Sequence, residues 1–164
     1  MLILVINPGS TSTKIAVYED EQPILLRSIR HTIEELDRFP RIVDQMDFRR
    51  DLVVDELRRM GVKCRFDAII GRGGLAKPVS GGVYEVNRQM CLDMYHAQRQ
   101  HVCNLGCIIA YELASKIPGC KSYIADPVVV DEMEDVAPIS GSPLMPRVPV
   151  WHALNQKAVG RRFA

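Results

Sequence analysis

Asn7, Gly9, Ser10, Thr11, Ser12 and Lys14 stand together directly after an apolar run, Leu2 to Ile6. With Thr13 the segment offers five short polar side chains and one cation. Hydroxyls, an amide, approachable backbone N–H groups and a nearby positive charge are the donors that a phosphate needs. The segment is not a Walker A loop, because G-x-x-x-x-G-K-[ST] is absent and the turn leads into a strand. Arg72 lies in Gly71-Arg72-Gly73-Gly74. Its rigid guanidinium fork matches a carboxylate bidentately, and the glycines leave space for a ligand to dock close by. Asp126, followed by Pro127, is expected to stay extended and can hold Mg²⁺ through water, alongside Asn7. His101 and His152 complete the set. His31 is expected at the surface, and neither it nor His96 receives a role. Taken singly, each group has a plain structural use: a Ser/Thr-rich hairpin turn, a glycine-rich loop, a capping Asp, a structural histidine.

The elements that must position them can be read from hydrophobic periodicity. Residues 2–6 are a continuous apolar run, which fits a fully buried strand. Asn7-Pro8-Gly9-Ser10 is a tight turn, with Gly9 free to take a positive φ. Strands follow at 11–18 and 24–29, and 32–40 is a polar connector. A helix over 41–60 buries Val43, Met46, Val53, Leu57 and Met60. Its four arginines (49, 50, 58 and 59) interleave with acids and read as a solvated face. Further strands are expected at 66–70, 83–86 and 122–125, and helices at 88–100 and 104–117. Residues 131–135 read as one helical turn, 138–149 as a proline-rich loop and 151–164 as a final helix. Strands joined by helices give an α/β fold: a mixed sheet with a three-strand meander in front of parallel strands. Asn7, Arg72 and Asp126 then share the carboxyl edge of that sheet, where such folds bind ligands.

The 164 residues suffice for one domain with a real core. With 21 Lys plus Arg against 20 Asp plus Glu, nothing points to nucleic acid or an anionic membrane as a partner. No apolar run reaches the ~18 residues needed to span a bilayer, and the first residues lack a signal peptide's basic region. Five cysteines without a C-x-x-C pair read as reduced thiols in a cytoplasmic protein. Cys103 and Cys107, four apart, read as packing on one helix face.

Asn-Pro-Gly-Ser-Thr-Ser-Thr-Lys after an apolar strand resembles the first phosphate motif of the acetate and butyrate kinases, members of the actin-like ATPase superfamily. Gly-Arg-Gly-Gly-Leu-Ala-Lys-Pro, Asp126-Pro127, Ile139-Ser140-Gly141, Leu144-Met145-Pro146-Arg147 and the His152 segment extend the likeness, which is closest to butyrate kinase. Trp151 stands where that family usually has phenylalanine. The resemblance implies a ribonuclease H-like, actin-like domain over residues 1–150, with 151–164 a helix leading toward a second domain. It implies ATP and Mg²⁺ as cofactors and a short-chain carboxylic acid as acceptor. It makes Arg72 the acid's ligand, and Asn7, Gly9, Ser10, Thr11, Ser12 and Lys14 the phosphate-binding group. Asp126 with Asn7 then orients the metal, and His101 and His152 assist charge on the transferring group. An acid of pKa about 4.3 is already ionised at neutral pH, so no general base is required. The family's members are roughly twice this length, so the resemblance covers an amino-terminal half, expected to be inactive alone. A homo-oligomer, or dependence on the second domain, is expected with it. A non-catalytic carboxylate- or phosphate-binding domain, and acetate kinase activity, are the alternatives.

Overall fold

A computed structural model describes residues 1–74 and 77–164. Leu75 and Ala76, part of the Gly-Arg-Gly-Gly-Leu-Ala motif, lie outside the described residues. Three antiparallel strands open the chain: β1 (Leu2–Pro8), β2 (Ser12–Glu19) and β3 (Gln22–Arg30). α1 (Ile33–Leu36), a 3₁₀ turn (Ile42–Gln45) and α2 (Met46–Arg59) lead to β4 (Ala68–Arg72). Then come β5 (Val83–Glu85), α3 (Arg88–Tyr95), α4 (Asn104–Ser115), β6 (Lys121–Ala125) and α5 (Ala153–Phe163). The sheet order is β3-β2-β1-β4-β6-β5. β1, β4 and β6 run parallel, while β2, β3 and β5 pair antiparallel with their neighbours. This is the mixed α/β sheet, meander first, that the periodicity predicts.

One face of the sheet carries the main core. Leu4 and Ile6 of β1, Ile15 and Val17 of β2 and Ile69 of β4 are buried against Val53 and Leu57 of α2 and Leu105 and Ile109 of α4. Strand side chains alternate faces, so Val5, Ala16, Ile70 and Ala125 point the other way and line a hollow of about 540 Å³. Two glycines set how closely α4 approaches. A Cβ on Gly71 would stand 2.2 Å from the Gly106 carbonyl oxygen, and one on Gly106 would meet Arg72 O at 2.9 Å and Pro8 Cδ at 3.3 Å. Backbone therefore packs on backbone, which brings the start of α4 against the carboxyl ends of β1 and β4.

Several expected boundaries move. β4 begins two residues later than expected, so Arg72 closes the strand rather than following it. α2 is preceded by a 3₁₀ turn, and Met60 at its C-cap is exposed. The connector holds α1, closed by a Thr32–Glu35 capping box. α3 stops at Tyr95, well short of residue 100. Residues 131–134 take no helical turn; Val79 N instead donates to Val129 O, and Asp131 N to Val79 O, pinning the segment as an extended bridge.

Candidate active site

β1 and β2 deliver the first donors. Gly9 N donates to Ser12 O at 2.7 Å, closing the turn. Gly9 is not among the glycines of positive φ; its small size matters because a Cβ would lie 3.3 Å from that same Ser12 oxygen. Ser10 and Lys14 are exposed and Ser12 is half-buried. Together with Asn7, Pro8 and Gly9 they line a cleft of about 270 Å³, whose other wall is Arg72, Gly73, His101, Val102, Cys103 and His152. Thr11 does not line this cleft; its carbonyl accepts from His31 N at 2.9 Å at the outer edge of the turn. Thr13 is fully buried behind it.

Arg72 reaches the cleft from the end of β4, and its Nη2 donates to Asp126 Oδ2 at 3.2 Å. The expectation that the flanking glycines open space for a ligand is corrected by their neighbours. Gly71 faces α4, Gly73 faces Cys103, and a Cβ on Gly74 would stand 2.6 Å from Met94 Cε. The protein's own side chains and helix fill that space. Gly73 and Gly74 do adopt positive φ, 84° and 120°, so the chain turns sharply just past the guanidinium.

Asp126 is 9% exposed, and its φ is 49°. It is therefore not extended, in spite of Pro127; Asp is among the few non-glycine residues that enter the left-handed region readily. The turn aims Oδ2 at Arg72, and Oδ2 also lies 3.3 Å from His152 Nδ1. That second approach is within ion-pair range without hydrogen-bond alignment. Oδ1 is buried and meets no protein donor among the described residues. Asn7, Lys14 and Arg72 line both the cleft and the larger hollow, and Asp126 borders the hollow. His152 returns to this place because the long 127–150 segment is pinned at its end. Trp151 N donates to Val128 O at 2.7 Å, and Trp151 Nε1 to Val130 O at 3.2 Å.

His101 lies before α4. Its Nδ1 accepts from Cys103 N at 3.2 Å and lies 2.9 Å from Cys103 Sγ, so in the neutral ring Nε2 carries the proton. Burial pushes the Cys103 thiol up, which keeps it protonated at neutral pH. Cys103 and Cys107 are both buried at the start of α4, in keeping with packing. The five cysteines are free thiols. Among the described residues no group of three or more His, Cys, Asp and Glu could hold a metal ion as a cage.

The hairpin turn, Arg72, Asp126, His101 and His152 thus converge, from five separate stretches of chain. An anion in the cleft would meet hydroxyls, an amide, two cationic side chains and two imidazoles. That donor set suits a phosphoryl group beside a carboxylate. Similarity to known proteins runs the same way. No family model matches the chain. It is 63% identical, over all its length, to a "probable butyrate kinase" of Bacteroides thetaiotaomicron, and 49% identical over 99% of its length to butyrate kinase 2 of Clostridium acetobutylicum. The chain resembles the amino-terminal half of a butyrate kinase. It spans 46% of the length of each of these relatives. Among solved structures it is similar to the acetate kinases of Porphyromonas gingivalis and Entamoeba histolytica. Their TM-scores are 0.59 and 0.57, at 13% and 11% identity, over 98% and 99% of this chain and 47% and 46% of theirs. At that identity they speak to the fold, which is the actin-like ATPase fold.

The structure also places residues that pattern reading missed. His31, expected at the surface, is 6% exposed. Its Nε2 lies 2.8 Å from Thr13 Oγ1, and its ring is tilted against Phe48 with centroids 5.5 Å apart. Arg49, expected on a solvated face, is 1% exposed and points inward beneath the turn. Arg50 in contrast pairs on the surface with Asp47, Asp51 and Glu112. The missed signal is spacing: Gln45, Arg49, Val53 and Leu57 recur every four residues and share one helix face.

Proposed function

We propose that the chain forms the carboxylate- and phosphate-handling half of a short-chain carboxylate kinase. The complete protein transfers the γ-phosphoryl group of ATP to butyrate, or a similar short acid, giving an acyl phosphate and ADP. The observation that carries this reading is the convergence of the hairpin turn, Arg72 and the two histidines on one cleft, with Asp126 against Arg72 and His152 at its border. Arg72 holds the acid's carboxylate with the guanidinium nitrogens that Asp126 leaves free. Asn7, Ser10, Ser12 and Lys14 hold phosphoryl oxygens, with Gly9 keeping the backbone clear. Thr11, expected in this group, lies outside the cleft lining and takes no part in the proposed contacts. His101 and His152 lend positive character as charge spreads over the equatorial oxygens. The ionised acid attacks in line without prior deprotonation.

The residues present fit Mg²⁺. Asp126 Oδ1 is buried and has no protein donor among the described residues, and Asn7 lines the same hollow. Mg²⁺ favours one or two protein oxygens with waters and substrate phosphate. When bound, the metal would neutralise phosphate charge; Asp126 and Asn7 would orient it through water.

Residues 151–164 form the lead into a second domain, which the relatives' length supports. ATP's remaining contacts belong there, and the 164-residue chain by itself does not turn over. Reduced thiols favour a cytoplasmic setting, and among the described residues no helix is long and apolar enough to cross a membrane. The test is the complete protein with ATP, Mg²⁺ and a series of acids, trapping acyl phosphate with hydroxylamine. Turnover of ~1–100 s⁻¹ with a four-carbon acid, abolished in Arg72→Ala, is expected. No acyl phosphate from any short acid would overturn the reading. Full turnover by the 164 residues alone would overturn the half-site assignment.

A further inference from the structure

Arg49 is 1% exposed, and no carboxylate pairs with it among the described residues. Among the described residues its guanidinium donates instead to neutral oxygens, three of them around the hairpin turn and one on Gln45. Nη1 donates to Gly9 O at 3.0 Å, to Ser12 O at 3.3 Å and to Thr13 Oγ1 at 3.1 Å, while Nε donates to Gln45 Oε1 at 3.0 Å. A buried cation without a counter-anion is expensive, and such charges are normally paired. Here burial alone pulls the Arg49 pKa down, to about 10, which still leaves it charged at neutral pH. An ordinary structural need, satisfying two carbonyls and a hydroxyl, could be met by a neutral donor. A retained charge directly behind a turn whose outer side lines a cleft of about 270 Å³ calls for an anion on that outer side.

We propose that Arg49 is a positioning residue for the phosphate turn: its guanidinium draws the Gly9 and Ser12 carbonyls inward and places one positive charge behind the anion held in the cleft. Two effects follow. Carbonyl oxygens, which would repel a phosphate, are taken up on the inner side, so the turn meets the anion with its hydroxyls and amides. The charge then acts through a dry layer, where it is screened far less than Lys14 at the surface. Gln45 orients the guanidinium, and Thr13 links it to His31. The inference rests on the turn being a phosphate site, and the test separates the two ideas.

The experiment titrates inorganic phosphate into the chain while following backbone amide resonances of Ser10, Thr11 and Ser12, at two ionic strengths. Wild type is expected to saturate. Arg49→Met is expected to weaken phosphate binding by about tenfold at both ionic strengths, and Arg49→Lys to recover part of the loss. A merely structural role predicts otherwise: the folded fraction of Arg49→Met would bind with the wild-type constant at both ionic strengths, and that result overturns the proposal alone. If wild type gives no saturating response at the turn, the phosphate reading itself falls, and this inference with it. Should Arg49→Met not fold, the wild-type Arg49 Nε–H resonance decides. It is expected to shift with the same constant as Ser10 to Ser12, and a resonance unmoved while those three saturate overturns the proposal.

Discussion

Asp126 holds a carboxylate at φ 49°, in a region most side chains avoid at a cost of roughly 1–2 kcal/mol. Removing the carboxylate and keeping that conformation are separable. Gly tolerates the left-handed region and Ala does not, so Asp126→Ala should melt about 2–4 °C below Asp126→Gly. Both variants remove the acceptor that Arg72 uses, and thermal unfolding of the pair isolates the backbone contribution. Identical melting would remove the strain argument. His31 gives a pH prediction. Burial, then the Arg49 charge, holds its pKa below the usual 6.5. A base depressed by folding binds fewer protons folded than unfolded, so stability is complete above about pH 6.5 and falls as pH drops toward the lowered value. Urea unfolding at pH 7.5 and pH 5 should show that loss in wild type and a smaller one in His31→Gln. Equal losses in both would mean that His31 is not the group responsible.

At the scale of elements, the contact between β4 and α4 decides where the site residues stand. Gly71→Ala would drive a Cβ to within 2.2 Å of the Gly106 carbonyl. Neither partner is a flexible side-chain tip, so a loss of about 3 kcal/mol or more is expected from denaturant unfolding, with weakened ligand binding at Arg72. A loss below about 1 kcal/mol would show that α4 shifts easily. The strands were legible because their apolar runs, Leu2 to Ile6 above all, have no other plausible use. The gathering of Asn7, Arg72 and Asp126 at one sheet edge followed from parallel topology. What pattern reading lost depended on tertiary contact. Arg49 sits among alternating charges, and only its place four residues before Val53 marks it as inward. His31 ends an exposed edge strand, and nothing local shows that Phe48 and Thr13 close over it. Asp126 was misread because the rule for residues before proline is a tendency, here overridden by the pull of Oδ2 toward Arg72.

For the whole molecule, the matched relatives are more than twice as long as this chain, and the proposed function assigns these residues a share of the site. Most of α5 is exposed beyond the cleft. A bare half-site should still recognise its share of the ligand. The most direct test titrates the 164-residue chain with butyryl phosphate while following the Ser10 to Ser12 amides, Arg72 Nε–H and the His101 and His152 rings. All of these should move together along one saturation curve with a single dissociation constant. Shifts absent from this group, or distinct constants for the turn and for Arg72, would contradict a common cleft.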